Sequence, residues 1–174
     1  MKRLLLLLAV ALSSACGDRS AVVPELLPFA APGFARFART GDLVLGGQPS
    51  PGALRYLADH GFTTVVSTRA ATELDWDERA AVESLGMRFV SIPIPLPVSA
   101  IRRAQVAALD SVFARHDGPI LLHCAGGTRA VALCAQWLAE TRKLEAAATM
   151  QRAELAGMKI VQPIAQQLLG TAGP

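Results

Sequence analysis

The chain predicts a single α/β domain, with a central, mainly parallel sheet of about four to five strands flanked by helices. Three observations predict it. Short apolar or β-branched runs, such as Thr63-Thr64-Val65-Val66 and Pro119-Ile120-Leu121-Leu122, alternate with longer stretches of helical periodicity. These runs lack an in–out alternation, as strands covered on both faces do. Once a leader is set aside, about 158 of the 174 residues remain, the size of one compact domain.

The leader comes first. Met1-Lys2-Arg3 is a basic start and Leu4 to Leu12 an apolar run too short to span a bilayer, so residues 1–15 read as a signal peptide. Ser13-Ser14-Ala15 before Cys16 resembles a bacterial lipobox, with serine where leucine is commonest. The same small residues would suit ordinary signal-peptidase cleavage. The expectation is an exported, periplasmic protein, lipidated at Cys16 and held to a membrane by acyl chains without a spanning segment. Residues 16–33 carry Pro24, Pro28 and Pro32 with no period and read as a linker; residues 34–174 form the domain. Without Lys2 and Arg3 the 17 basic residues become 15 against 14 acidic ones, so the domain is near neutral. With no basic stripe and a single tyrosine, nucleic-acid binding is not expected.

In chain order, Phe34 to Asp42 leads into the domain and Leu43-Val44-Leu45 is a short strand. Gly46-Gly47-Gln48-Pro49 turns the chain. Ser50-Pro51 then starts a helix, with a capping serine and proline at the first position, closed by Gly61. Phe62 to Ser67 is a buried strand that delivers Thr68-Arg69 to a loop. An acidic cluster of Glu73, Asp75, Asp77 and Glu78 follows, with a helix beginning near Asp77 and stopping at Gly86. Met87 to Ile92 is a strand, and the prolines at 93, 95 and 97 make an extended loop of Ile92 to Val98. Ser99 is placed to cap a helix with Val106, Leu109 and Phe113 on one face. The strand at Pro119 to Leu122 comes next, followed by helices over about Thr128–Thr141, Leu144–Ala156 and from Pro163.

The chemistry concentrates in His123-Cys124-Ala125-Gly126-Gly127-Thr128-Arg129, between a strand and an alanine-rich helix. A Gly-rich turn at a helix N-terminus points backbone N–H groups at an anion, and the helix dipole adds positive potential. That field favours a thiolate over a thiol. Arg129 adds a planar, two-pronged grip for a tetrahedral oxyanion. Nucleophilic attack by Cys124 on a phosphate-like or sulfur-bearing group is the chemistry this pattern suits. Cys134 lies about two turns into the helix, on the order of 9 Å or more from the loop, beyond disulfide reach, and reads as a core residue. His60, His116 and His123 are too scattered to form a metal site with the cysteines. Ligands of parallel sheets sit beyond the carboxyl ends of the strands, which puts the Thr68-Arg69 loop, the proline loop and Cys124–Arg129 on one rim.

Three segments in this order carry a resemblance: Leu45-Gly46-Gly47-Gln48-Pro49-Ser50, Thr64-Val65-Val66-Ser67-Thr68-Arg69 with Glu73 after it, and His123 to Arg129. From about Phe34 to Met158 the chain resembles the bacterial phosphatase-like domains related to beta-lactamase hydrolase-like proteins. Those are similar to the cysteine-dependent protein tyrosine and dual-specificity phosphatases. The resemblance implies that Cys124 is the nucleophile and Arg129 the phosphate-binding arginine. It also implies that the N–H groups of Ala125, Gly126, Gly127, Thr128 and Arg129 form the phosphate cradle. His123 would help set the character of Cys124, and Arg69 with Glu73 would be structural or substrate-facing. Gln48 reads as a turn-bonding residue. The implied partner is a phosphorylated substrate, with no metal or organic cofactor.

The sequence departs from that pattern in three places. Four residues, Ala125 to Thr128, separate Cys124 from Arg129, where the general phosphatase signature has five. Rhodanese-like sulfurtransferases share the shorter loop, so a persulfide on Cys124 is the rival reading; a module that binds phosphate-bearing ligands without turnover is a third. Ala130 stands where many relatives carry a hydroxyl, leaving Thr128 to serve from within the loop. Pro93 to Ser99, where a general acid is expected, holds no carboxylate; Asp75 and Asp77 are the nearest substitutes. Their alternative reading is a solvated helix start.

Overall fold

The computed structural model describes residues 25–97 and 99–170; the leader and Cys16 lie outside the described residues. In chain order the elements are β1 (Leu27–Ala31), β2 (Phe34–Thr40), β3 (Leu43–Gly46), α1 (Pro51–Asp59), β4 (Thr64–Ser67), a 3-10 turn (Ala71–Glu73), α2 (Glu78–Ser84), β5 (Arg88–Ser91), α3 (Arg103–Phe113), β6 (Ile120–His123), α4 (Thr128–Arg142), α5 (Ala146–Leu155) and α6 (Gln162–Leu169). The strands form one sheet in the order β1-β2-β3-β6-β4-β5. Pairings β3–β6, β6–β4 and β4–β5 are parallel, whereas β1–β2 and β2–β3 are antiparallel.

The sheet therefore has six strands rather than four to five among the described residues. The two extra strands precede Leu43, at an edge where one side needs no ladder partner. Pro28 is tolerated in β1 for that reason. β1 also lies within the 16–33 stretch expected to be a linker, so the sheet begins earlier than expected, at Leu27. Phe29 anchors it there through edge-on contacts with Phe34 and Phe62.

Helices cover both faces, and strand parity divides the core. Val44, Val65 and Leu121 pack with α1 and α2, beside Leu54, Leu57 and Val82. Leu45, Val66 and Leu122 face the other way, onto α3 and the α4–α6 layer around Leu109, Val131 and Leu133. The helix starts follow local chemistry. Ser50 Oγ accepts the Ala53 N–H at 3.1 Å, with Pro51 opening α1. Asp77 Oδ1 accepts the Ala80 N–H at 2.9 Å at the head of α2. The start of α3 differs from expectation: Ser99 does not cap it. Gln105 Oε1 instead accepts the Arg102 N–H at 2.8 Å while its Nε2 donates to Pro93 O at 2.7 Å, tying the helix start to the proline loop.

Register places the functional rim. Gly46, His123, Ser67 and Ser91 are level across β3, β6, β4 and β5, so all four parallel strands release their chains on one side. Thr68 N–H and Oγ1 both donate to His123 O, at 2.9 and 3.0 Å, and Ile94 N–H donates to Thr68 O at 2.9 Å. The three loops expected on one rim are there, hydrogen-bonded to one another.

Candidate active site

The cysteine loop is held from below by the end of β3. Cys124 N–H donates to Gly46 O at 3.2 Å, and Gln48 N–H donates to Ala125 O at 3.1 Å. Gly47 is needed for this approach, since a Cβ there would lie 3.0 Å from Ala125 O. Gly127 has φ +100°, a conformation L side chains rarely adopt, and a Cβ on it would meet Met158 Cε at 2.9 Å. That backbone turn aims the Gly127 N–H at Cys124 Sγ, 3.0 Å away, and α4 begins at the next residue. An amide donor and a helix N-terminus thus converge on the sulfur. Ala125 and Gly126 form the exposed lip, while Gly127, Thr128 and Arg129 are buried.

Arg129 is 5% exposed, and both of its terminal nitrogens are engaged. Its Nη1 and Nη2 donate to Glu73 Oε1 and Oε2 at 2.8 and 2.7 Å, and Nη1 also donates to Ile94 O at 2.8 Å. This fork-to-fork pairing fixes the guanidinium plane beside the loop. The Arg129 guanidinium lowers the Glu73 carboxyl from 4.5 to about 2, and Glu73 in turn raises Arg129. Ala70 N–H adds a 2.9 Å bond to Glu73 Oε1. Arg69 stands behind: its Nε lies 3.6 Å from Glu73 Oε2, its Nη2 donates to Glu73 O, and its Nη1 donates to Gln48 Oε1 at 2.8 Å. Arg69 therefore supports the carboxylate that supports Arg129.

A second buried cluster lies under the cysteine on the α1/α2 side of the sheet. His123 is fully buried; its Nδ1 is 3.4 Å from Cys124 O and its Nε2 faces Glu78 Oε1 at 3.3 Å. Glu78 Oε1 also accepts from Gln48 Nε2. Arg69, which only donates, fixes the Gln48 amide with its oxygen toward the guanidinium and its nitrogen toward Glu78. Burial raises the Glu78 carboxyl, and burial together with the nearby Arg69 and Arg129 charges pushes His123 down to about 3. Glu78 belonged to the acidic cluster in the sequence but not to the expected site. Gln48, expected only to bond its turn, joins the two clusters. A carboxylate at a helix start ordinarily reads as solvated, so only the fold, which brings the head of α2 against His123 at the end of β6, identifies it.

Asp75 and Asp77 lie elsewhere on the rim. Asp75 is exposed, and Asp77 is exposed and bonded to its helix start. Both line a cavity of about 590 Å³ whose walls include Arg69, Trp76, Glu78 and Phe89 but not Cys124. The Thr128 hydroxyl accepts the Val161 N–H at 3.1 Å, pinning the segment before α6 onto the loop. Cys134 is fully buried one layer away, and burial raises its thiol to about 12. Among the described residues no His, Cys, Asp and Glu grouping could hold a metal ion.

Residues 37–167 match the family described as "DSP-PTPase phosphatase fused to NAD+ Kinase". The chain is 31% identical over 96 residues to the beta-lactamase hydrolase-like protein of Agrobacterium fabrum; the match covers 52% of this chain and only 22% of that protein. P. aeruginosa TpbA, solved in complex with phosphotyrosine, superposes with a TM-score of 0.67 at 21% identity, covering 88% of this chain and 92% of that one. The DUF442 protein of Shewanella putrefaciens CN-32 gives 0.58 at 21% identity, over 87% and 93%. The two structures establish the shared fold. With the family match spanning the whole rim from β2 to α6, the chain belongs to the DSP-PTPase phosphatase family.

Proposed function

We propose that this protein hydrolyses phosphoric monoesters through a phosphocysteine at Cys124. The carrying observation is the convergence of the Gly127 N–H, the α4 N-terminus and the Glu73-fixed Arg129 on the surroundings of Sγ. The thiolate attacks phosphorus, an S–P bond forms, and the P–O bond to the leaving group breaks. Arg129 and the amides of Ala125 to Arg129 hold the equatorial oxygens. Water then attacks the phosphocysteine, releasing phosphate and restoring the thiolate. Asp77 is engaged at its helix start, and the cavity that it and Asp75 line does not have Cys124 in its wall. Unless the 70–77 turn swings inward to bring Asp75 or Asp77 to the leaving oxygen, that oxygen takes its proton from water. Aryl phosphates, with their acidic leaving groups, are then favoured over alkyl ones.

The test uses the detergent-solubilised full chain. An aryl phosphate should be hydrolysed, with vanadate inhibition and no turnover by Cys124→Ser. Thiocyanate formation from thiosulfate and cyanide, with no phosphate release, would instead establish sulfur transfer. Binding of phosphate without either turnover would leave a ligand-binding module. The leader and Cys16 complete the proposal: export to the periplasm and tethering by a lipidated Cys16, with a phosphorylated substrate met at the membrane.

A further inference from the structure

We infer that Glu78 is a positioning residue of this site: as an uncharged carboxylic acid it holds His123 and Gln48, and through them aims two amides of the cysteine loop at the bound anion. The inference rests on the phosphate-cradle reading above, and it begins with proton counting. A backbone carbonyl only accepts, so the His123 nitrogen facing Cys124 O, Nδ1, carries a hydrogen. The other nitrogen faces Glu78 Oε1 at 3.3 Å, and the two side chains are 0% and 1% exposed. The contact falls short of a regular hydrogen bond and is favourable only with one proton between these two acceptors, which are closed off from water. Placing it on His123 would bury an imidazolium near two guanidiniums, Arg69 and Arg129, both of which disfavour it. Placing it on Glu78 leaves two neutral groups. The remaining charged or titratable neighbours, Glu73 and Cys124, act on Arg129 rather than on this pair. Gln48 and Ser67 donate to the same carboxyl and Arg69 lies near it; all three favour its ionised form, and burial outweighs them.

The consequence for the loop follows from peptide geometry. In a trans peptide the C=O and N–H point in opposite directions, and the only cis bond among the described residues is Leu96–Pro97. His123 Nδ1 pins the Cys124 carbonyl, so the Ala125 N–H of the same peptide points the other way. Gln48 N–H pins the Ala125 carbonyl at 3.1 Å, so the Gly126 N–H also points away from its anchor. Both anchors meet at Glu78. A neutral Glu78 also leaves two guanidiniums, Arg69 and Arg129, opposing one carboxylate, Glu73, so that cluster keeps net positive charge beside the loop.

Two variants and one spectroscopic reading test this on the solubilised full chain. Nitrogen-15 NMR of labelled histidine should show His123 as the neutral tautomer protonated on Nδ1 at pH 7. Glu78→Gln keeps the shape without the charge, but both contacts fall on Oε1, so it can accept from Gln48 or donate to His123 Nε2 and not both; it should keep the Nδ1 tautomer and lose no more than about tenfold in kcat on an aryl phosphate, less than Glu78→Ala. Glu78→Ala should lower kcat about 10- to 100-fold with a smaller change in KM, short of the roughly 10²–10³ lost when an oxyanion donor is removed outright. An imidazolium at His123, or a Gln variant as impaired as the Ala variant, would overturn the inference. Should Glu78→Ala not fold, the Gln variant and the wild-type tautomer still decide. Should wild type and Cys124→Ser be equally inert, the phosphatase reading fails, while the tautomer measurement continues to report on Glu78.

Discussion

Glu73 carries more of the site than any other side chain. It takes both prongs of Arg129, the Ala70 N–H and the flank of Arg69. Its carboxyl is lowered from 4.5 to about 2, first by the Arg129 hydrogen bonds. Between those values the unfolded chain binds a proton that the folded chain refuses. The stability contributed is thus complete above about 4.5 and lost as pH falls through about 2. Burial of neutral His123, lowered from 6.5 to about 3, adds a separate loss as pH falls through that range. Thermal melts of wild type and Glu73→Gln across pH should therefore converge as the pH drops from 4.5 toward 2, the difference isolating Glu73 from His123. Parallel curves would show that Glu73 is not the ionised partner. The same variant should lower kcat by about tenfold or more, since Arg129 loses the fork that fixes its plane.

At the scale of the element, the turn after β3 is more than a connection. A Cβ on Gly46 would fall 1.9 Å from the Phe37 ring, Gly47 admits the Ala125 carbonyl, and Gln48 ties together Arg69, Glu78 and the loop. Phe37 cannot yield freely, because it packs edge-on against Phe34 at 4.9 Å between centroids. Gly46→Ala should destabilise the protein by about 3 kcal/mol, the upper end of ordinary overpacking costs, in a denaturant titration. A change within experimental error would mean that the ring relocates without penalty. The sequence marks this turn by its two glycines and proline, and the strand–turn–helix at 120–130 by an apolar run ending at Cys124; both are local signals. β1 and β2 leave no such signal. Their pairing is antiparallel, and β1, mostly exposed with Pro28 within it, reads as a linker.

For the whole molecule, the rim was legible because parallel strands must open toward one end, which places Arg69, the proline loop and Cys124 together without contact information. The depth of a charged residue was not. Glu78 and Asp77 are adjacent in sequence, yet one is 2% exposed beneath His123 and the other sits in solvent at the head of α2. Nothing local distinguishes them. Among the described residues no helix is long and apolar enough to cross a membrane; the attachment proposed above is by Cys16. Cys16→Ser should move the protein from the membrane fraction to the soluble periplasmic fraction, with mass spectrometry losing an acylated N-terminal peptide. Membrane retention by that variant would exclude the lipid tether.

The Thr128–Val161 hydrogen bond has a consequence in time. Gln48, Glu73, Glu78, Ile94, the cysteine loop and Val161 enter the site from across nearly the whole domain, and the last of them comes close to its C-terminal end. While the chain is still being made, with Val161 not yet delivered, the Cys124 loop lacks the hydrogen bond that pins the segment before α6 to Thr128. For the proposed nucleophile, this late closure leaves the loop around it unfinished until the rest of the fold is in place.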